Sequence, residues 1–217
     1  MNPRLWLALA ICLGVSLTPW GPRALYPFTL FTTWVHECSH AVAAVLLGGS
    51  VASVTIEPDT SGLTRSLMPA SRIAQGIVAS AGYLGAAIVG CLLMAATRVQ
   101  RRATPILWGI GAFMLLTLVL WIRNLFGAVV VIAWAAALLL IARRKTGGLA
   151  SFVLSVLAIQ VALNAVFNIR ALFLVNGPSD AQTMARLFLA PAWFWAALWM
   201  ATSVAMLVWT LRATRGR

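Results

Sequence analysis

His36, Glu37 and His40 are half of all the histidine, aspartate and glutamate in this chain, which has 2 His and 4 acidic residues in 217. They stand within five consecutive positions, His36-Glu37-Cys38-Ser39-His40. Residues four apart on an α-helix lie one above the other on the same face. Two imidazoles placed in that way can both reach one Zn²⁺, and H-E-x-x-H on a helix is the pattern that zinc metalloproteases use for this purpose. Glu37 sits beside the first imidazole. It can lean over the ion without binding it and take a proton from a water held there, as a general base. The motif falls in an apolar run at about 28–47. An ionisable group inside a membrane span costs about 2.5 kcal/mol or more, so a cluster of them is read as functional.

Two histidines do not complete such a site, because catalytic zinc usually has three protein ligands and a position for water. The remaining acids are Glu57, Asp59 and Asp180. Glu57 and Asp59 flank the start of the turn-forming segment Pro58-Asp59-Thr60-Ser61-Gly62. Asp180 is the only acid after Asp59. Asp180 is the preferred third ligand and Glu57 the alternative. Ser179 followed by Gln182 matches a capping box, which puts Asp180 in the first turn of a helix and would hold it rigidly. Asn164 and Asn168 lie in a later apolar run, where polar side chains need partners. One of them could donate a hydrogen bond to a tetrahedral intermediate. The other reading is hydrogen bonding between helices.

The elements that position these residues follow from composition. Hydrophobic residues make up 62% and charged residues 9%, against about a quarter charged in a soluble domain. That excludes an ordinary soluble globule, and the apolar content excludes disorder. The net charge of +12 comes from basic residues in small groups between apolar runs, such as Arg98, Arg101 and Arg102, or Arg143, Arg144 and Lys145. Membrane proteins mark their loops in this way, so the partners expected are a lipid bilayer and no nucleic acid. Seven apolar stretches can be drawn, at about 5–19, 28–47, 73–96, 105–122, 125–142, 149–172 and 191–211. The first follows Arg4 and lacks a small-residue cleavage pattern after it, so it is read as a retained span. Arg123-Asn124 is read as a polar turn joining the fourth and fifth stretches in a tight helical hairpin.

Residues 50–66 differ from the rest. Val51, Val54, Thr55 and Ile56 favour extended structure, the turn cluster follows, and Leu63-Thr64 can begin a return strand, so a β-hairpin is predicted. Gly76, Ala79, Gly82, Gly85, Ala86 and Gly90 give the third stretch a small-residue face for close packing on the second. Cys12, Cys38 and Cys91 each lie in an apolar run and read as small buried hydrophobes. The expected fold is an all-α polytopic membrane protein of six to seven transmembrane helices with a short β-hairpin after the motif helix. A single membrane-embedded domain over 1–217 is expected. Fifteen of the 16 basic residues are Arg, which with the abundant Ala hints at a bacterial chain in the inner or plasma membrane.

These residues resemble the site-2 protease family of intramembrane zinc metalloproteases, and more narrowly its compact bacterial branch without a PDZ domain. The resemblance rests on His36-Glu37-x-x-His40 in an apolar helix, the following Ala41-Val42-Ala43-Ala44-Val45-Leu46-Leu47-Gly48-Gly49, and Val51–Ile56, which is similar to the family's short sheet. In the family a distant Asp, usually in a Leu-Asp-Gly context with Asn and Pro upstream, supplies the third ligand. Asn176, Pro178 and Asp180 fit that outline, with Ser179 and Ala181 in place of Leu and Gly. The resemblance implies zinc-dependent endopeptidase action on a membrane-embedded substrate helix; the residues themselves agree, since the edge of the expected hairpin could accept substrate as an added strand. The alternatives are a catalytically inactive membrane scaffold or regulator that keeps the zinc, and a metal transporter.

Overall fold

The computed structural model describes residues 3–144, 147–171 and 179–215. In chain order its elements are α1 (Pro3–Ser16), α2 (Gly21–Leu46), β1 (Ser50–Ile56), β2 (Gly62–Leu67), α3 (Arg72–Ala96), α4 (Ala103–Leu120), α5 (Leu125–Arg143), α6 (Gly147–Ala171), α7 (Asp180–Leu187) and α8 (Ala192–Arg215). All seven apolar stretches form helices, and the protein is an all-α polytopic membrane protein with one small hairpin. Among the described residues, five helices, α3, α4, α5, α6 and α8, are long and apolar enough to cross a membrane. The 26-residue α2 is longer than any of them, but polar side chains dilute it. The 14-residue α1 is apolar and short.

Helix α2 begins well before the apolar run that announces it. Pro22 sits in its first turn, where a missing N–H breaks no helical bond. Pro27 lies inside the helix, and its carbonyl accepts the Trp134 indole N–H at 3.0 Å, tying α5 to α2. Thr29, Thr32 and Ser39 donate their hydroxyl protons to carbonyls four residues back, at 3.2, 3.0 and 2.7 Å. Such back-bonding satisfies hydroxyls that lipid cannot. The helix ends on Gly48, whose φ of 79° is a left-handed conformation that only glycine adopts at little cost.

The hairpin does not project into solvent. It runs back along α2, so that its turn lies beside the helix's N-terminal half: the Tyr26 hydroxyl donates to the Pro58 carbonyl at 2.7 Å, and the Thr33 hydroxyl to the Thr60 carbonyl at 2.7 Å. The strands pair antiparallel from Ser50↔Leu67 to Ile56↔Gly62, with a bulge between Val51 and Ser53. Thr60 at φ 72° and an Asx turn from Asp59 to Ser61 close the loop. Val54 and Ile56 are fully buried.

Arg123-Asn124 is more than the polar turn expected. The Val54 N–H donates to the Trp121 carbonyl at 2.7 Å, and the Arg123 N–H donates to the Val54 carbonyl at 3.1 Å. Asn124 donates to the Ile56 carbonyl at 2.6 Å and accepts from the Ile56 N–H at 3.3 Å. The α4–α5 loop therefore fills the outer edge of β1. Non-helical backbone at membrane depth is tolerated only when protein satisfies it, and this loop does so for β1. Among the described residues, no segment pairs with the other edge, on β2.

Helix α3 is central and packs on α2, α6, α7 and α8. The main core joins α1 through α6, and Trp34 ties α2 to α4 by donating its indole proton to the Thr117 hydroxyl at 3.0 Å. A second, smaller core of Ala79, Tyr83, Ala181, Met184, Ala196 and Trp199 seats α7 between α3 and α8. The cysteines are free, with Cys12 and Cys38 buried.

Candidate metal centre

Helix α2 presents His36 and His40 on one face, four residues apart, toward α3. Their Nε2 atoms are 3.1 Å apart. Asp180, the first residue of α7, reaches in from 144 positions along the chain. Its Oδ2 lies 3.2 Å from His36 Nε2 and 3.3 Å from His40 Nε2. Two ring nitrogens and one carboxylate oxygen thus converge on a single point, and this group could hold a metal ion.

Each donor is held from behind. His40 Nδ1 lies 2.6 Å from the Val78 carbonyl, so it is Nδ1 that carries the proton and Nε2 that is left as a lone-pair donor. Asp180 is fixed by its helix start, where the Ser179 hydroxyl accepts from the Gln182 N–H at 3.3 Å. That is the Ser179 half of the capping box read from Ser179 and Gln182. The His36 ring meets Tyr83 edge-on at 4.6 Å, and Tyr83 is stacked at 5.2 Å on Trp199 of α8. His40 is buried, whereas the side chains of His36 and Asp180 keep partial exposure, so the cluster is open on that side.

Gly82 is the floor of the site. A Cβ added there would collide with the Nε2 atoms of both His36 and His40. The small-residue face of α3 therefore does more than allow close helix packing, since at this position it leaves room for the donor atoms themselves. Gly82→Val is expected to splay the imidazoles and weaken metal binding by on the order of 10- to 100-fold, the scale seen when support behind a ligand is lost. Competition against a chelator on the purified variant measures this. Affinity unchanged from the wild type would show that the helices shift apart without cost.

Glu37 is buried and reaches the hairpin. The Thr64 hydroxyl donates to Glu37 Oε2 at 2.6 Å and lies 3.0 Å from the Glu37 carbonyl oxygen. A Cβ on Gly62 would fall 2.7 Å from Oε1 and 2.9 Å from Cδ. The carboxylate is thus packed against the bare backbone of β2.

The other acids lie elsewhere. Glu57 sits at the hairpin turn, 3.5 Å from the Asn124 amide, and is not among the converging groups. Asp59 is engaged by Ser61. Asn164 donates to the Thr32 hydroxyl at 3.3 Å, a bond between α6 and α2 one turn before His36. The side chain of Asn168, and Asn176 and Pro178 entirely, lie outside the described residues. Sequence reading missed Tyr83, Thr64 and Gly62. Tyr83 carried a signal, because it is one of only two tyrosines and a phenol within a span needs a reason. Thr64 and Gly62 carried none.

No curated protein and no solved structure matches this chain. The family model described as Peptidase M50B-like matches residues 6–210, nearly the whole length. The motif helix, the hairpin and the α7 acid all fall within that match, and the chain belongs to the M50B-like peptidases of the site-2 protease family.

Proposed function

We propose that the protein is a zinc-dependent intramembrane endopeptidase of a bacterial plasma membrane, with His36, His40 and Asp180 holding the ion and Glu37 as general base. The carrying observation is the triangle of donor atoms, with edges of 3.1, 3.2 and 3.3 Å. Ligands at about 2.0–2.1 Å around tetrahedral zinc are separated by about 3.3–3.4 Å, so the triangle fits one face of that tetrahedron. The fourth corner remains for water or substrate.

Bound zinc would polarise the scissile carbonyl and make water a better nucleophile. The chain's own groups do the rest. Glu37 accepts the proton of the attacking water as the oxygen bonds to the carbonyl carbon. It then returns that proton to the departing amine as the C–N bond breaks. Asp180 and the two imidazoles keep their geometry because α7, Val78 and Gly82 hold them. The substrate is a membrane-embedded protein segment, locally unwound and added as a strand to the unpaired edge of β2. The filled edge of β1 favours β2 as the docking strand.

Purified protein is expected to contain about one zinc per chain, as a three-ligand catalytic site does. Elemental analysis decides this, and pure, folded protein that neither contains nor takes up zinc would overturn the proposal.

A further inference from the structure

We propose that Thr64 is a positioning residue for Glu37, coupling the orientation of the base to the strand that would receive substrate; the inference rests on the reading of Glu37 as base given above. A carboxylate has two oxygens, and one must stay free to accept a proton. The Thr64 hydroxyl engages Oε2 at 2.6 Å. Among the described residues, Oε1 has no hydrogen-bond donor, and it lies against Gly62, where even a methyl group would not fit. A hydroxyl that donates to a carboxylate makes a short, strong hydrogen bond, so this one fixes which oxygen is engaged by Thr64 and which is left without a donor to receive a proton.

The placement follows from the period of two along β2. Gly62 and Thr64 face α2, while Leu63, Arg65 and Leu67 point outward and are exposed. Thr64 pairs with Val54, and Val54 is bonded in turn to Trp121 and Arg123. The height of the Thr64 hydroxyl over Glu37 is thus set by three adjacent segments, β2, β1 and the α4–α5 loop. A substrate strand added to the free edge would be the fourth, directly beside the strand that steers the base. Through the reaction Thr64 keeps its proton. Water gives a proton to Oε1 of Glu37, the water oxygen bonds to the carbonyl carbon, and the same proton leaves with the amine. The bond to Oε2 only orients.

The experiment uses the full chain, zinc-loaded in micelles, as wild type, Thr64→Val, Thr64→Ser and Glu37→Gln. Zinc content must be equal in all four. The infrared difference between wild type and Glu37→Gln isolates the Glu37 carboxylate bands. Those bands are expected to shift in Thr64→Val and to stay in place in Thr64→Ser. With a fluorescence-quenched peptide carrying an apolar span as probe, kcat is expected to fall about 10- to 100-fold in Thr64→Val at unchanged KM, with most activity kept in Thr64→Ser. An unshifted band in Thr64→Val overturns the inference, as does a Thr64→Ser variant as impaired as Thr64→Val, which would assign the effect to packing of the methyl group. A wild type that leaves the peptide intact counts against the protease reading alone, and the infrared bands still decide on Thr64.

Discussion

Replacing Glu37 with Gln is expected to stop peptide cleavage while leaving the metal in place. The side chain is not one of the three converging donors, and its carboxylate is held by Thr64 of the hairpin. The amide keeps the carboxylate's shape, and its oxygen can still accept the Thr64 proton, so neither fold nor metal site has cause to change. What is lost is an oxygen basic enough to take a proton from water. Removing a positioned general base lowers rates by about 10²- to 10⁴-fold. Zinc content and cleavage of a membrane-anchored reporter, measured on the same preparation, test both halves. Undiminished cleavage would remove Glu37 from the chemistry. In cells the same substitution separates the enzyme from a scaffold that keeps its zinc, for which it would be silent.

Asp180→Asn should act on the metal itself. The two histidines come from one helix and share its rigidity, but the third donor depends on α7 being docked between α3 and α8. The Asn side chain has nearly the shape of Asp and no charge, so it offers the ion a poor ligand and leaves the α7 start intact. Affinity is expected to fall by more than the ~10- to 100-fold that follows loss of a supporting group behind a ligand, and cleavage with it. Ser179→Ala is the control. It removes the cap at a cost of about 1 kcal/mol to α7 while keeping the carboxylate, and should retain zinc. Chelator competition on both variants reads the difference. If Asp180→Asn binds as tightly as the wild type, the third ligand lies elsewhere, and Glu57 is the next acid to change.

The helices were legible because membrane spans announce themselves by composition, and the hairpin because β-branched residues flank a turn cluster. The convergence of Asp180 on His36 and His40 could be anticipated because acids are so scarce that few were left to choose from. Its cap was written in Ser179 and Gln182. What the sequence did not show depends on contacts between distant segments with no local pattern. Trp121 to Asn124 is too short to read as a strand, and makes its single bridge only because β1 offers an edge. Gly82 looks like any other small residue of α3 until the imidazoles are seen above it. Thr64 is an ordinary strand residue until Glu37 is found beneath it. The early start of α2 was hidden by Pro22 and Pro27, which mark a break in most contexts but here fall in the first turn and on a carbonyl shared with Trp134.

The long separation between the donors has a consequence for biogenesis. His36 and Asp180 are 144 residues apart, and chains are made and inserted from the N-terminus onward. A ribosome-bound chain therefore carries the base and both imidazoles in the membrane well before the acid that completes the triangle exists. Until α7 has emerged and docked, the nascent protein holds an incomplete donor set beside its own newly inserted helices and those of its neighbours. The order of synthesis itself delays assembly of the site until nearly all of the fold that encloses it has been built.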